Sequence, residues 1–146
     1  MRGKADVEAI KEGLRDGAID AIASDHAPHA LTDKEVEFEY AASGMIGLET
    51  SLALGLRLVS AGVLTLSQLI GKMSTHPSGI LGIPGGSLRP GAPADLTIID
   101  LQRSWTVDRE AIRSLSKNTP FLGWDLTGKA VLTMKGGVVT FDELHN

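Results

Sequence analysis

The spacing of the apolar residues changes once along the chain, near residue 85, and this change constrains the fold more than any other feature. Upstream of it, apolar residues recur at the intervals that place them on one face of a helix. Downstream of a segment rich in glycine and proline, they fall in short runs of the kind that form β-strands. The sequence therefore predicts an α/β protein, with helices and a strand over residues 1–84 and mainly strands over residues 85–146.

The first helix is expected over residues 7–16, with Asp6 as its N-cap and Gly17 as its end. Ile19–Ala23 follows after a short connection and is predicted to be a mostly buried strand. The hexapeptide SDHAPH, residues 24–29, begins where this strand ends. In α/β sheets and barrels ligands bind at the carboxyl ends of the strands, so a functional site is expected at SDHAPH.

Two further helices are predicted in the first part of the chain. One covers residues 48–61 and is apolar on more than one side. The other starts at Thr65, which begins a capping-box pattern. The dipeptide His76-Pro77 is expected to break that helix, and Pro77 to open a short helix that ends at Gly82.

The second part of the chain carries turn signals between its predicted strands. Pro90-Gly91 fits the central pair of a type II turn. Gly136-Gly137 predicts the two-residue turn of a β-hairpin, with a strand on each side. Further strands are expected over residues 95–101 and 105–107.

Composition and charge exclude several classes of protein. The 146 residues contain no cysteine, which excludes disulfides, thiolate nucleophiles and cysteine-bound zinc. A net charge of −4, with both signs interspersed, gives no basic surface for nucleic acid or an acidic membrane. The apolar stretches are interrupted, and the first residues lack the apolar segment of a secretion signal. We expect a cytoplasmic globular protein that binds neither nucleic acid nor membrane.

Asp25, His26 and His29 are the candidate functional residues of SDHAPH. A carboxylate at a strand end can bind a metal or accept a proton, but it can equally cap the following turn. Pro28 favours an extended or turn geometry, which would keep the two histidines off a shared helical face. Because a catalytic zinc ion usually has three protein ligands, these residues predict either one corner of a metal site or a polar loop.

Several segments together resemble the C-terminal third of dihydroorotases, of the type related to allantoinases and hydantoinases in the amidohydrolase superfamily. In the family's order and spacing, they are DGAIDAIASDHAPH, SGMIGLETSLALGL, GGSLRPGAPADLTIIDL, WTVD and KNTPFLGWDLTGKAVLTMKGGVV. SDHAPH is specific, because hydantoinases typically carry Cys-Pro or a similar pair where this chain has Ala27-Pro28. The resemblance implies the last part of a metal-dependent β/α barrel over residues 1–84 and mainly a β-sandwich over residues 85–146.

The same resemblance implies roles for four residues. Asp25 matches the aspartate that binds metal, takes a proton from metal-bound water and later protonates the leaving nitrogen. His29 matches the histidine that binds the substrate carboxylate. Ser43 and Gly44 match a pair that contacts substrate; many relatives have Phe-Gly there, and a backbone contact would survive that change. The implied cofactor is zinc, as one or two ions in the complete family site.

The family's remaining metal ligands, a His-x-His pair, a carboxylated lysine and two further histidines, come from earlier barrel strands and have no match here. We therefore expect a truncated dihydroorotase with little or no activity as an isolated chain. The complete enzyme would act on a small molecule, interconverting dihydroorotate and N-carbamoyl-aspartate in pyrimidine biosynthesis. Unpaired strand edges and apolar helix faces would favour self-association.

Two other functions are compatible with the residues. One is another cyclic amidohydrolase, such as an allantoinase, although His29 argues for a substrate that carries a carboxylate. The other is a non-catalytic scaffold that supports a partner such as aspartate carbamoyltransferase. The scaffold is less favoured, because degenerate members would lose ligands and keep the full barrel length, whereas this chain keeps Asp25 and His29.

Overall fold

The computed structural model describes residues 3–145 as a set of helices followed by an antiparallel sheet. In chain order the elements are α1 (Lys4–Asp16), α2 (Leu31–Lys34), α3 (Ser51–Ser60), α4 (Leu66–Ile70), a π-helical turn (Gly71–Thr75), α5 (His76–Leu81), β1 (Leu96–Thr106), β2 (Asp125–Lys135) and β3 (Val138–Asp142). Helices before residue 85 and strands after it agree with the change that the apolar spacing predicts, apart from the strand expected at Ile19–Ala23 and the short helix α2, which the spacing does not predict. The division into two domains at residue 85 stays a prediction.

Helix α1 starts earlier than predicted, and Asp6 caps it from inside the helix. The N-cap is Gly3, whose N–H donates a 2.9 Å hydrogen bond to the Asp6 carboxylate. The prediction that Asp6 is the N-cap is therefore wrong, because its side chain reaches back by one turn. The predicted end at Gly17 is confirmed, and its φ of +92° is a conformation that glycine adopts without steric cost.

The strand predicted over Ile19–Ala23 is not formed. Its backbone is held by single bonds, from the Ile19 N–H to the Gly13 carbonyl and from the Ile22 N–H to the Lys72 carbonyl, each 2.9 Å long. A strand exists only as part of a ladder with a neighbour, and no described residue offers this segment one. The apolar character of Ile19–Ala23 predicts a strand, but it cannot indicate whether a neighbouring strand is present to pair with it.

The helices after residue 50 follow the predicted order but not the predicted break. Helix α3 is shorter than expected, with residues 48–50 forming a turn before it. Helices α4 and α5 are joined by the π-helical turn, in which the His76 N–H pairs with the Gly71 carbonyl five residues earlier. The π-helical turn is wider than an α-helical one and accommodates the proline, so the helix continues from α4 into α5. The break predicted at His76-Pro77 is therefore wrong. The end at Gly82, with φ +63°, is confirmed.

The three strands form one antiparallel sheet in the order β1-β2-β3. The two strands predicted over residues 95–101 and 105–107 are parts of β1, which is continuous but irregular in register between Asp100 and Ser104. The hairpin turn at Gly136-Gly137 is confirmed, with φ of +56° and +82°.

The type II turn at Pro90-Gly91 is also confirmed. The Ala92 N–H donates to the Arg89 carbonyl at 3.0 Å, and Gly91 has the positive φ, +85°, that the third position of this turn requires. This turn leads the chain from the helices toward β1.

Helix α3 lies between two hydrophobic clusters of the described residues. The first joins it to α1 and α4 and consists of Leu14, Leu56, Val63, Leu64 and Leu69. The second joins it to the sheet and the loop after β1, and consists of Ile46, Ala53, Val107, Ile112 and Leu126. The helices and the sheet are therefore held together through one helix. None of the helices described over residues 3–145 is long and apolar enough to cross a membrane.

Candidate active site

The candidate site lies where three loops meet. His26 and Met45 form an isolated parallel β-bridge, with a 2.9 Å bond from the Ala27 N–H to the Met45 carbonyl. The Ile46 N–H donates to the Asn118 carbonyl at 3.1 Å. The site loops are thus residues 24–29, residues 43–47 and the segment that carries Asn118.

Asp25 presents an exposed carboxylate from a left-handed backbone position. Its φ of +43° is the only positive value at a non-glycine residue in the described part of the chain. Aspartate tolerates this conformation better than most residues. Over residues 3–145 no hydrogen bond or ion pair to its side chain is found, so the carboxylate does not cap the following turn. It is free to accept a proton or a ligand.

The ring of His26 connects two site loops through its Nδ1 atom, which is therefore not free to bind a ligand. Its Nδ1 accepts a 3.2 Å hydrogen bond from the Gly47 N–H. Gly47 has to be glycine for this contact, since a Cβ there would lie 2.8 Å from the Ser24 carbonyl oxygen. The geometry accordingly gives His26 a structural role.

Hydrogen bonds of both the ring and the main chain hold His29 in its orientation. The ring Nε2 lies 2.9 Å from the Ser43 carbonyl oxygen, and because a carbonyl only accepts, this nitrogen carries the hydrogen. The His29 carbonyl accepts a 2.6 Å bond from the Ser116 hydroxyl. Nδ1 is left for a ligand, and it becomes a donor when the ring is protonated.

The Ser43-Gly44 turn fits against His29 and Ala27. Gly44 has a φ of +109°, and a Cβ there would lie 2.7 Å from the Ala27 Cβ. Its carbonyl accepts a 3.1 Å bond from the Lys34 ammonium. The structure thus brings three of the four predicted site residues together, while Asp25 contacts none of them directly.

An open cavity of about 1240 Å³ borders these loops, and His29 and Gly44 lie in its wall. Three cationic side chains, of Lys34, Arg109 and Lys117, line it with a single acidic one, of Glu35. This excess of positive charge favours an anionic ligand.

The described residues do not provide a complete metal site. Over residues 3–145 there is no group of three or more histidine or acidic side chains that could hold a metal ion. Asp25 could supply one ligand, whereas a catalytic zinc ion usually has three from the protein. Zinc therefore does not fit this chain by itself.

A sequence model of the amidohydrolase family matches residues 1–140, which include every site loop. The chain belongs to the amidohydrolase family. The sequence relatives of this amidohydrolase include the dihydroorotase of Syntrophus aciditrophicus, 57% identical over 143 residues, which are 98% of this chain and 34% of that protein. The dihydroorotase of Geobacter metallireducens is 54% identical over 141 residues, 97% of this chain and 33% of that protein. The chain thus spans about one third of the length of these relatives.

Solved structures resemble the amidohydrolase over the same extent. L-Hydantoinase (dihydropyrimidinase) from Arthrobacter aurescens has a TM-score of 0.90 and 38% identity, covering 97% of this chain and 33% of its own. Dihydropyrimidinase from Brevibacillus agri NCHU1002 also has a TM-score of 0.90, with 21% identity over 97% of this chain and 32% of its own, which supports the fold alone. The amidohydrolase-family fold is confirmed, and the described residues form a small antiparallel sheet and helices; the assignment to a β/α barrel and a β-sandwich stays a prediction.

Sequence reasoning does not find two residues of this amidohydrolase whose side chains make long-range hydrogen bonds. Glu49 accepts bonds from Ser114 to the same oxygen, 2.8 Å from the backbone N–H and 2.6 Å from the hydroxyl. Asn118 bonds the site loops directly, as described below. Both have partners more than sixty residues away, so no local pattern marks them. The one available signal is that Asn118 belongs to the segment KNTPF, which carries part of the family resemblance.

The Glu49 carboxylate is stabilised in its charged form. Burial raises its pKa, but the bonds from Ser114, a backbone bond from Glu49 itself and the nearby His26 together lower it by more, so the pKa lies below its ordinary value of 4.5. Its second oxygen is buried and has no hydrogen-bond partner among residues 3–145. A depressed pKa stabilises the fold above the unfolded-state value, and this stabilisation is lost as the pH falls through the folded-state value.

We expect Glu49→Gln to remove this acid-sensitive contribution. Wild-type chain and variant should differ in unfolding free energy above about pH 4.5, where the carboxylate of the unfolded chain is ionised. The difference should shrink as the pH is lowered below that value. Urea unfolding across this range measures it, and a difference that stays constant with pH would contradict the assignment.

Proposed function

We propose that this chain is the C-terminal part of a dihydroorotase, an enzyme of pyrimidine biosynthesis that reversibly hydrolyses the cyclic amide of dihydroorotate to N-carbamoyl-aspartate. The observation that carries the proposal is identity above fifty per cent with dihydroorotases over nearly the whole chain. The converging loops of SDHAPH and Ser43-Gly44 support it, because they place His29 and Gly44 in the wall of a cavity with excess positive charge, and the SDHAPH loop also carries the exposed carboxylate of Asp25.

Asp25 is the proposed proton carrier. In hydrolysis, water oxygen bonds to the amide carbon, the ring carbon–nitrogen bond breaks, and one water proton has to reach the leaving nitrogen. An exposed carboxylate without a protein partner can accept that proton and then donate it. No other acidic side chain belongs to the SDHAPH loop.

His29 and the Ser43-Gly44 turn are the proposed substrate-binding residues. With Nε2 bonded to the Ser43 carbonyl, a protonated His29 directs its Nδ1–H at a ligand. Dihydroorotate carries a carboxylate that would accept this charge-assisted bond. The Gly44 N–H has no acceptor in the described part of the chain and could bond a substrate oxygen.

Amidohydrolases and dihydroorotases are generally zinc-dependent, and Asp25 would be the ligand that this chain contributes. The other ligands would have to lie outside the residues described, so no catalytic step is assigned to zinc here. For the same reason we expect little or no turnover from the chain alone.

A hydantoinase is the second candidate, favoured by the 38% identity and TM-score of 0.90 to L-hydantoinase. Dihydroorotate differs from a simple hydantoin in the carboxylate that His29 would bind, so His29 favours dihydroorotase. The same carboxylate argument disfavours an allantoinase. A partnership with aspartate carbamoyltransferase, self-association through unpaired strand edges and apolar helix faces, and a cytoplasmic location stay predictions.

A fusion enzyme tests the proposed function. We expect dihydroorotase activity when this chain replaces the corresponding C-terminal third of the Syntrophus aciditrophicus dihydroorotase, since the two share 57% identity. The assay follows the interconversion of dihydroorotate and N-carbamoyl-aspartate, with hydantoin as the competing substrate. The first two thirds of that relative without this chain serve as the control and should be inactive.

One result would count against the proposed function, and another against the expected inactivity of the isolated chain. A folded fusion that hydrolyses hydantoin and not dihydroorotate would favour the second candidate. Turnover of dihydroorotate by the isolated chain would contradict the expectation that it is inactive alone.

A further inference from the structure

We propose that Asn118 is a positioning residue that sets the Ser43-Gly44 turn against the SDHAPH loop. The inference rests on the proposed function, because it assigns Asn118 to the substrate-binding side of the same site. Asn118 is not one of the substrate contacts; it would act through the loops that carry them.

The carboxamide of Asn118 bonds both loops at once. Its Nδ2 group donates to the Ala27 carbonyl at 2.9 Å and to the Gly44 carbonyl at 3.4 Å. Its Oδ1 accepts from the His29 N–H at 3.4 Å. The Asn118 main-chain carbonyl adds the 3.1 Å bond from the Ile46 N–H. Asn118, which is half-buried, thus connects the two segments that pair at the His26–Met45 bridge.

A carboxamide matches the arrangement because it offers a donor and an acceptor at once. The Ala27 carbonyl requires a donor and the His29 N–H requires an acceptor, whereas the Gly44 carbonyl also accepts from Lys34. An aspartate would turn a carboxylate oxygen toward two carbonyl oxygens, and an apolar residue would leave the Ala27 carbonyl and the His29 N–H without these bonds.

The position of these bonds predicts which kinetic parameter Asn118 controls. They fix Gly44 and His29, the proposed substrate contacts, and none of them reaches the Asp25 side chain. Loss of the carboxamide would therefore weaken substrate binding equally in the ground state and the transition state. Such a change raises KM and leaves kcat nearly unaltered.

The first test is kinetic and uses the fusion enzyme. We expect Asn118→Ala to raise KM for dihydroorotate about tenfold, with kcat changed by less than about threefold, as the loss of one or two net hydrogen bonds implies. Asn118→Asp is the second variant, in case alanine prevents folding, and should also raise KM. Ser114→Ala is the matched control: it removes the hydroxyl bond to Glu49, keeps the bond from the backbone N–H and touches neither loop, so it should lower stability and leave KM unchanged.

The second test is spectroscopic and uses the whole 146-residue chain without any substrate. In wild type the His29 amide should be protected from exchange, and the ¹⁵N shifts of its ring should report the Nε2–H tautomer. Asn118→Ala should lose the amide protection and mix the two tautomers. Asn118→Asp keeps an oxygen for the His29 N–H but loses the donor to the loop carbonyls, so it should mix the tautomers, whereas Ser114→Ala should keep both signatures.

The two tests separate the positioning role from the proposed function. If the unsubstituted fusion is active and the Asn118 variants keep its KM, the positioning role is wrong and the proposed function stands. If the fusion is inactive, the proposed function fails, and the spectra decide the positioning role alone. Unchanged His29 signatures in the Asn118 variants would then overturn it.

Discussion

Replacement of Asp25 by asparagine is expected to lower kcat/KM of the fusion enzyme for dihydroorotate by about a thousandfold, within the range of general acid–base catalysis. Asparagine keeps the size of the side chain and tolerates the backbone φ of +43°, so the loop should keep its shape. It removes the only carboxylate in SDHAPH, the proposed carrier of the proton to the leaving nitrogen. Steady-state assays in both directions of the reaction measure the effect.

The control for this substitution is Asp20→Asn. Asp20 is an exposed aspartate five residues earlier, and its carboxylate makes no hydrogen bond in the described part of the chain. This variant should retain the activity of the unsubstituted fusion. A fusion with Asp25→Asn that keeps activity within tenfold, while its circular dichroism is unchanged, would show that Asp25 is not the proton carrier.

Leu69→Ala should lower the free energy of unfolding of the chain by about 2–5 kcal/mol. Leu69 is 0% exposed in the first cluster, and its Cδ1 lies 2.8 Å from where a Cβ on Gly55 would be. The close helix crossing leaves little freedom to fill the space that the missing side chain vacates, so most of the cavity should persist. Urea unfolding followed by circular dichroism gives the value.

Leu115→Ala is the matched control, because Leu115 is 101% exposed. The same chemical change there should alter the unfolding free energy by less than about 0.5 kcal/mol. Equal losses in the two variants would mean that the first cluster is not the stabilising core of the helices.

The parts of the fold that could be predicted are those that short-range rules decide. Gly17, Gly82 and Gly136-Gly137 mark the ends and turns correctly, because each needs a positive φ that glycine adopts at little cost. The strand at Ile19–Ala23 could not be judged in this way, because a strand also needs a neighbour. The helix break at Pro77 fails for a related reason: the π-helical turn before it changes the pairing on which the rule depends.

The candidate site likewise combines features that short-range patterns predict with features that depend on the tertiary fold. Spacing alone left Asp25 and His29 between a metal site and a polar loop, and the family resemblance supplied their predicted roles. The structure adds the contact of His29 with Ser43, which are 14 residues apart. Asn118 and Glu49 were beyond prediction, because their side chains act on loops whose proximity is a property of the tertiary fold.

Helix α3 has a consequence for how the molecule comes apart. It contributes Leu56 to one cluster and Ala53 to the other. Neither cluster can open unless one face of α3 loses its contacts, and α3 cannot detach without exposing both clusters to solvent. We therefore expect unfolding to be coupled through the ten residues Ser51–Ser60, and we expect the amide hydrogens of α3 to exchange with solvent only when the whole molecule opens.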